Sequence, residues 1–234
     1  MDPTENIVLR HLKHLGYTNV IYEPDGNMPP DFLVDESIAI EVRRLNQNHV
    51  EGGNTKGLEE VAIPLSKRVE KLLGELGAPV GSESWFVFFR FSRPVEAWRI
   101  LEPKLRKALN TFRDSNAKQP GCIVKANGFE LDVFRASKPH ATMFIIGGYS
   151  DEESGGWLLT EMDKNIRYCT SEKSRKITSV RTKYGKWWLA LVDHIGYGLG
   201  DFDRKMFRDQ VSIVHDWDKV IVIDPNNPTI WFEI

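Results

Sequence analysis

The 234-residue sequence predicts an α/β fold in which a mixed central β-sheet is flanked by helices. Three observations carry that expectation. Apolar residues recur at helical spacing in some segments, such as Leu65, Val69, Leu72 and Leu76, and at strand spacing in others. The stretch 186–195 is apolar on both faces, as expected of a strand covered on both sides. A short loop, Asp35-Glu36-Ser37, joins two runs of β-type residues and sets up a hairpin.

The elements follow in order. Residues 2–15 read as a helix: Asp2 caps it, Pro3 takes the first helical position, and Glu5 completes a capping box. Val8, Leu12 and Leu15 form its buried stripe, and Gly16 ends it. A strand is expected over 20–23, a turn at Asp25-Gly26-Asn27, then strands over 31–34 and 38–45. Gly52-Gly53-Asn54 reads as a flexible loop. A helix is expected over 58–76, started or kinked by Pro64, then a strand over 85–91 and a helix from Pro94 to about 116. Residues 120–150 alternate strands with glycine turns, as a meander or an insertion. An increasingly basic helix spans 157–176, a last helix 201–215, and strands 220–224 and 230–234 close the chain. With no repeat and no clear linker, 1–234 reads as a single domain.

Composition narrows the function classes. The net charge of −2 gives no global positive field, so any nucleic-acid binding must use a local patch. Cys122 and Cys169 have no metal-type spacing and imply no disulfide framework. No stretch reaches the ~20 apolar residues of a membrane span, and the N-terminus lacks the pattern of a signal peptide. These features lead to the expectation of a cytoplasmic protein with no membrane partner.

The hairpin concentrates the chemistry. If Asp35-Glu36-Ser37 is the loop, Val34 faces Ile38 and Asp31 falls opposite Glu41, with Cβ atoms roughly 4.5–5.5 Å apart. Arg43 shares the face of Glu41, while Ile38, Ile40 and Val42 point into a core. Opposed carboxylates repel, and a shared proton, a cation or a bound metal would offset that. Mg²⁺ takes one or two carboxylates and keeps waters, one of which can attack a phosphodiester.

The run Pro30-Asp31, nine residues, then Glu41-Val42-Arg43 resembles the signature of the PD-(D/E)XK nuclease superfamily. The flanking order of a helix, three strands and a further helix also looks like that superfamily's restriction-endonuclease-like core, over residues 1–91. Residues 92–234 would then supply further core elements. The resemblance implies Mg²⁺ (or Mn²⁺) held by Asp31 and Glu41. The main-chain carbonyl of Val42 would be a further ligand, and Glu5 would correspond to a first-helix carboxylate aimed at the metal. Arg43 stands where the family has lysine. Arginine stays protonated and so cannot be a general base, although it can orient a water or grip a phosphate. Three outcomes stay open: Arg43 does the electrostatic part of the job, a migrated lysine replaces it, or the site is inactive. Lys56 in the glycine-rich loop is the best-placed substitute. Lys67 lies about 200° around its helix from Leu65 and faces solvent.

A basic run, Lys164, Arg167, Lys173, Arg175, Lys176, Arg181, Lys183 and Lys186, is the clearest local positive field. Within it Lys173, Arg175, Lys176, Arg181 and Lys183 are candidates for tracking a DNA or RNA backbone; the alternative is a solvated helix face. Tyr184 and Trp187 could stack on bases, although Trp187 and Trp188 are expected to enter the core. Asp193-His194 and His215-Asp216 lack metal-ligand spacing and read as structural. There is no nucleophile elbow and no phosphate-binding glycine loop. Three functions follow: a Mg²⁺-dependent nuclease, a catalytically inactive nucleic-acid-binding protein on the same scaffold, or a protein-interaction domain whose hairpin is purely structural.

Overall fold

The computed structural model describes residues 1–51 and 54–234. It is a mixed α/β protein that divides into two compact units, Met1–Asn48 with Gly156–Ile234, and His49–Gly155. The boundary falls inside the 1–91 segment that the sequence groups as one core. Residues 120–150 lie within the second unit. Among the described residues no helix is long and apolar enough to cross a membrane.

The first unit is built on a six-stranded sheet of order β1-β2-β3-β10-β11-β12. Its strands are β1 (Val20–Tyr22), β2 (Phe32–Val34), β3 (Ile38–Leu45), β10 (Lys186–Asp193), β11 (Lys219–Ile223) and β12 (Trp231–Glu233). The sheet is mixed: β1, β2 and β3 form an antiparallel meander, β3, β10 and β11 run parallel, and β12 returns antiparallel.

Helix α1 (Pro3–His14) starts with the expected capping box, in which Asp2 and Glu5 exchange hydrogen bonds. Gly16, at φ +90°, takes the left-handed conformation that stops the helix. Val8 and Leu12 of α1 pack on one face of the sheet against Phe32, Val34, Ile40, Val42 and Ile221. Helices α4 (Leu158–Ile177) and α5 (Asp201–Gln210) supply Met162, Ile166, Cys169 and Phe207 to the core on the other face. This sandwich explains why β10 is buried from Trp187 to Asp193: both of its faces are covered. Both tryptophans enter the core, as the sequence suggested.

The hairpin has the predicted register. Val34 pairs with Ile38, Leu33 with Ala39, and Phe32 with Ile40, so Asp31 continues the strand opposite Glu41. Asp35 and Glu36 take positive φ in the loop, and Ser37 N–H donates to the Val34 carbonyl at 3.2 Å.

A two-stranded ribbon, β4 (Asn48–Glu51) with β5 (Asn54–Gly57), begins at the last residue of the first unit's leading segment, and the second unit also has a four-stranded sheet of order β7-β8-β6-β9. The sheet strands are β6 (Trp85–Phe91), β7 (Gly121–Ala126), β8 (Phe129–Arg135) and β9 (Phe144–Asp151). Helices α2 (Glu59–Glu75) and α3 (Trp98–Asp114) bury Leu65, Val69, Leu72, Leu101, Leu105 and Leu109 against Trp85, Val87, Phe89 and Phe91. Pro64 lies within α2 rather than at its start. The glycine-rich loop is partly a correction: Asn54 begins β5, while Gly52 and Gly53 lie outside the described residues.

Candidate active site

Strand pairing between β2 and β3 stops at Phe32, which frees Asp31 to use its side chain. The Asp31 carboxylate accepts a hydrogen bond from Val42 N–H at 2.7 Å. In an extended strand a residue's N–H and C=O point to the same side, so the Val42 carbonyl is also directed toward Asp31. Burial pushes the Asp31 carboxyl pKa up. The charge of Glu41 adds to that rise, against the pull of Lys173 and the Val42 amide.

Glu41 is 0 % exposed. A charge placed there needs a partner, and it comes from α4. Lys173 Nζ lies 2.6 Å from Glu41 Oε2 and 3.9 Å from Asp31 Oδ2. Lys176, one turn further along the same helix face, reaches Glu41 Oε2 at 3.4 Å. Two lysines thus balance the two carboxylates. Glu41 Oε1 is buried and has no hydrogen-bond partner among the described residues.

Lys173 corrects the sequence reading. It does not belong to an exposed basic stripe: its side chain is 8 % exposed. The helical period places it on the buried side of α4 with Met162, Ile166, Cys169 and Ile177. A lysine interrupting that apolar stripe was the signal available in the sequence. The expected substitute, Lys56, lies on β5 in the second unit, and Lys67 is exposed on α2 of that unit.

Arg43 shares the face of Glu41, as predicted, but its charge is taken by α4. Its Nε lies 3.3 Å from Glu172 Oε2. Burial works against the guanidinium charge, and Glu172 and Cys169 outweigh it, so the Arg43 pKa is raised and the group stays a cation. The Cys169 thiol is buried and pushed up to about 11, with Arg43 opposing the rise. It is held as a neutral thiol, not a nucleophile.

Glu5 keeps its capping role and also accepts a hydrogen bond from the Tyr22 hydroxyl at 2.9 Å. It lines a cleft of about 450 Å³ together with Asp31, Val42, Arg43, Arg44 and Lys173. The cleft does not assemble a ready carboxylate cage. Among the described residues there is no group of three or more His, Cys, Asp and Glu side chains placed to hold a metal. What the hairpin offers is two carboxylates, one with an unpartnered buried oxygen, and a main-chain carbonyl. An all-oxygen set of that kind fits Mg²⁺ or Mn²⁺, which complete their shell with water.

The rest of the basic run is largely neutralised. Lys164 pairs with Glu161, Arg167 with Asp163, Arg181 with Asp216, and Lys183 with Asp25. Arg175 is exposed and binds the Ser171 carbonyl of its own helix. The hydroxyl of Tyr184 donates to Asp25 at 2.9 Å. Asp193 accepts hydrogen bonds from Ile195 and Gly196 N–H, and Asp216 accepts one from the Ser174 hydroxyl, both structural uses. The residues that sequence reasoning missed at the site are Lys173 in its buried position, Glu172 and Arg44.

Comparisons of this chain with protein-family models, with curated proteins and with solved structures return no match.

Proposed function

We propose that this protein is a Mg²⁺-dependent phosphodiesterase of the PD-(D/E)XK type, acting on DNA or RNA, in which Lys173 supplies the lysine that Arg43 replaces. The observation that carries the reading is the Lys173 ammonium, delivered from α4 to within 2.6 Å of Glu41 and 3.9 Å of Asp31. The order of elements supports it: α1, β1, β2 and β3 precede the insertion, then α4 leads into β10, which lies parallel beside β3. The resemblance rests on α1 and the three strands that follow it; the next helix in sequence, α2, lies in the second unit.

Asp31, Glu41 and the Val42 carbonyl would hold the ion. Bound there, a divalent cation supplies charge neutralisation at the phosphate and a water of lowered pKa. Lys173 Nζ lies beside both carboxylates, where it would orient the attacking water and stabilise charge on the phosphoryl oxygens. Arg43, held by Glu172, braces the same cleft.

Metal-dependent cleavage of labelled DNA and RNA tests the reading. Glu41→Gln and Lys173→Met should each lower cleavage on the order of 10²–10³-fold, and Arg43→Met should lower it less. Unchanged cleavage in Glu41→Gln refutes the assignment.

One observation favours a second reading, a catalytically inactive nucleic-acid-binding scaffold. Asp31 and Glu41 are already balanced by Lys173 and Lys176, so the fold makes no electrostatic demand for a metal. That reading predicts salt-sensitive binding without turnover.

A further inference from the structure

The cleft beside the hairpin is lined by three cations, and they are used differently. Arg43 is held by Glu172, and Lys173 by Glu41. The Arg44 side chain has neither an ion pair nor a hydrogen bond to any described residue, and its Nε is buried without a partner among them. The acids on the same wall are already engaged. Asp2 accepts from Glu5 N–H, Glu5 from Asp2 N–H and the Tyr22 hydroxyl, and Asp31 from Val42 N–H.

The Arg44 Nε has left water without gaining a partner among the described residues, which forfeits a hydrogen bond, while its terminal nitrogens are not buried in this way and can meet a ligand. The planar fork of arginine matches a phosphate through two parallel N–H···O bonds. The cleft is large enough for a phosphodiester group, at about 450 Å³. Arg44 is also adjacent in sequence to the residues that form the site, on the same strand β3.

We infer that Arg44 is a phosphate-binding residue that grips a polynucleotide phosphate next to the one positioned at Asp31 and Glu41. This rests on the phosphodiesterase reading for the nature of the substrate. The phosphate is either an internal one of the chain or a terminal 5′-phosphate, and the two are separable.

The test is fluorescence anisotropy with a matched pair of single-stranded 12-mers, one carrying a 5′-phosphate and one a 5′-hydroxyl. It is run without divalent metal over a salt series. Wild type is compared with Arg44→Gln and with Lys107→Gln, a control that removes one exposed positive charge from α3. Thermal unfolding confirms that the variants fold. Arg44→Gln should weaken binding about tenfold and lower the salt slope by about 0.7, the share of one phosphate contact on a single strand. Lys107→Gln should do neither. A loss confined to the 5′-phosphorylated oligomer assigns a terminal phosphate, and an equal loss on both assigns an internal one. An Arg44→Gln variant that binds like wild type with the same slope overturns the inference, as does absence of wild-type binding to either oligomer. Cleavage assays on the same proteins read the phosphodiesterase proposal separately. Cleavage that Glu41→Gln abolishes and Arg44→Gln spares removes the Arg44 role and leaves the proposed function standing.

Discussion

Each unit of this protein buries a cluster of charges, and the two clusters are built to different ends. In the second unit Arg93, with a side chain 7 % exposed, meets Asp151 through two parallel hydrogen bonds of 2.7 Å. It also bonds Glu153 at 2.8 Å and the Leu58 carbonyl at 2.7 Å. Burial opposes the Arg93 charge, but Asp151 and Glu153 more than compensate, and its pKa is raised. The guanidinium ties the end of β6 to the end of β9 and the start of α2, as a structural clamp does. In the first unit the cluster at Asp31, Glu41, Lys173 and Lys176 is balanced in charge but incomplete in hydrogen bonds. Glu41 Oε1 and Arg44 Nε are buried without partners, and Asp31 is held in a setting that disfavours its charge. It also borders a cleft. Arg93 Nε is likewise buried without a hydrogen-bond partner among the described residues, so what sets the hairpin cluster apart is the disfavoured charge of Asp31 beside a cleft, the mark of a binding or reactive site.

Mutations should separate the two clusters. The largest stability loss should come from Arg93→Met, which leaves Asp151 buried and unpaired and costs about 3–5 kcal/mol. Denaturant unfolding reads that loss, and the fraction of protein that remains folded should keep the wild-type response to metal. A smaller loss, about 3 kcal/mol, is expected from Lys173→Met, because Lys176 remains 3.4 Å from Glu41. If both losses are equal and neither variant changes metal response, the hairpin cluster is only another clamp.

Asp31→Asn should act in the opposite direction. Because the folded-state pKa of Asp31 is raised, its ionised form is disfavoured by folding. That penalty is absent below the ordinary carboxylate pKa, where Asp31 is protonated in both states, and grows as pH rises through the folded value. Asparagine keeps an acceptor for Val42 N–H and carries no charge. At neutral pH without metal, Asp31→Asn should therefore raise Tm, by roughly 2–4 °C for each kcal/mol relieved. The gain should vanish on acidification. A variant less stable than wild type at neutral pH would show that Asp31 is a structural carboxylate.

Much of this geometry was legible in the sequence where the determinants are local. The loop Asp35-Glu36-Ser37 fixes the hairpin register, and with it the opposition of Asp31 and Glu41. The capping box and Pro3 announce α1. The apolar run after Lys186 announces a strand covered on both faces. What could not be read were contacts set by tertiary packing. Lys173 meets Glu41 across 132 positions of sequence, with the whole second unit between them. A basic run on a helix reads as solvated charge, and only the docking of α4 shows which lysine faces inward. The acids that neutralise Arg181 and Lys183 are likewise distant, at Asp216 and Asp25. The ribbon of β4 and β5 gave no signal, because Asn54, Thr55, Lys56 and Gly57 show no apolar alternation.

We propose that the hairpin carboxylates hold a divalent ion. Calorimetric titration of Mn²⁺ into wild type and Glu41→Gln tests it most directly, since Mn²⁺ favours the same oxygen ligands as Mg²⁺ and binds most sites more tightly. Binding is expected in wild type and lost in Glu41→Gln. Equal binding in both proteins would place the metal elsewhere. No binding in either, with or without an added oligonucleotide, would contradict the claim and leave Lys173 and Lys176 as the only counter-charges the hairpin needs.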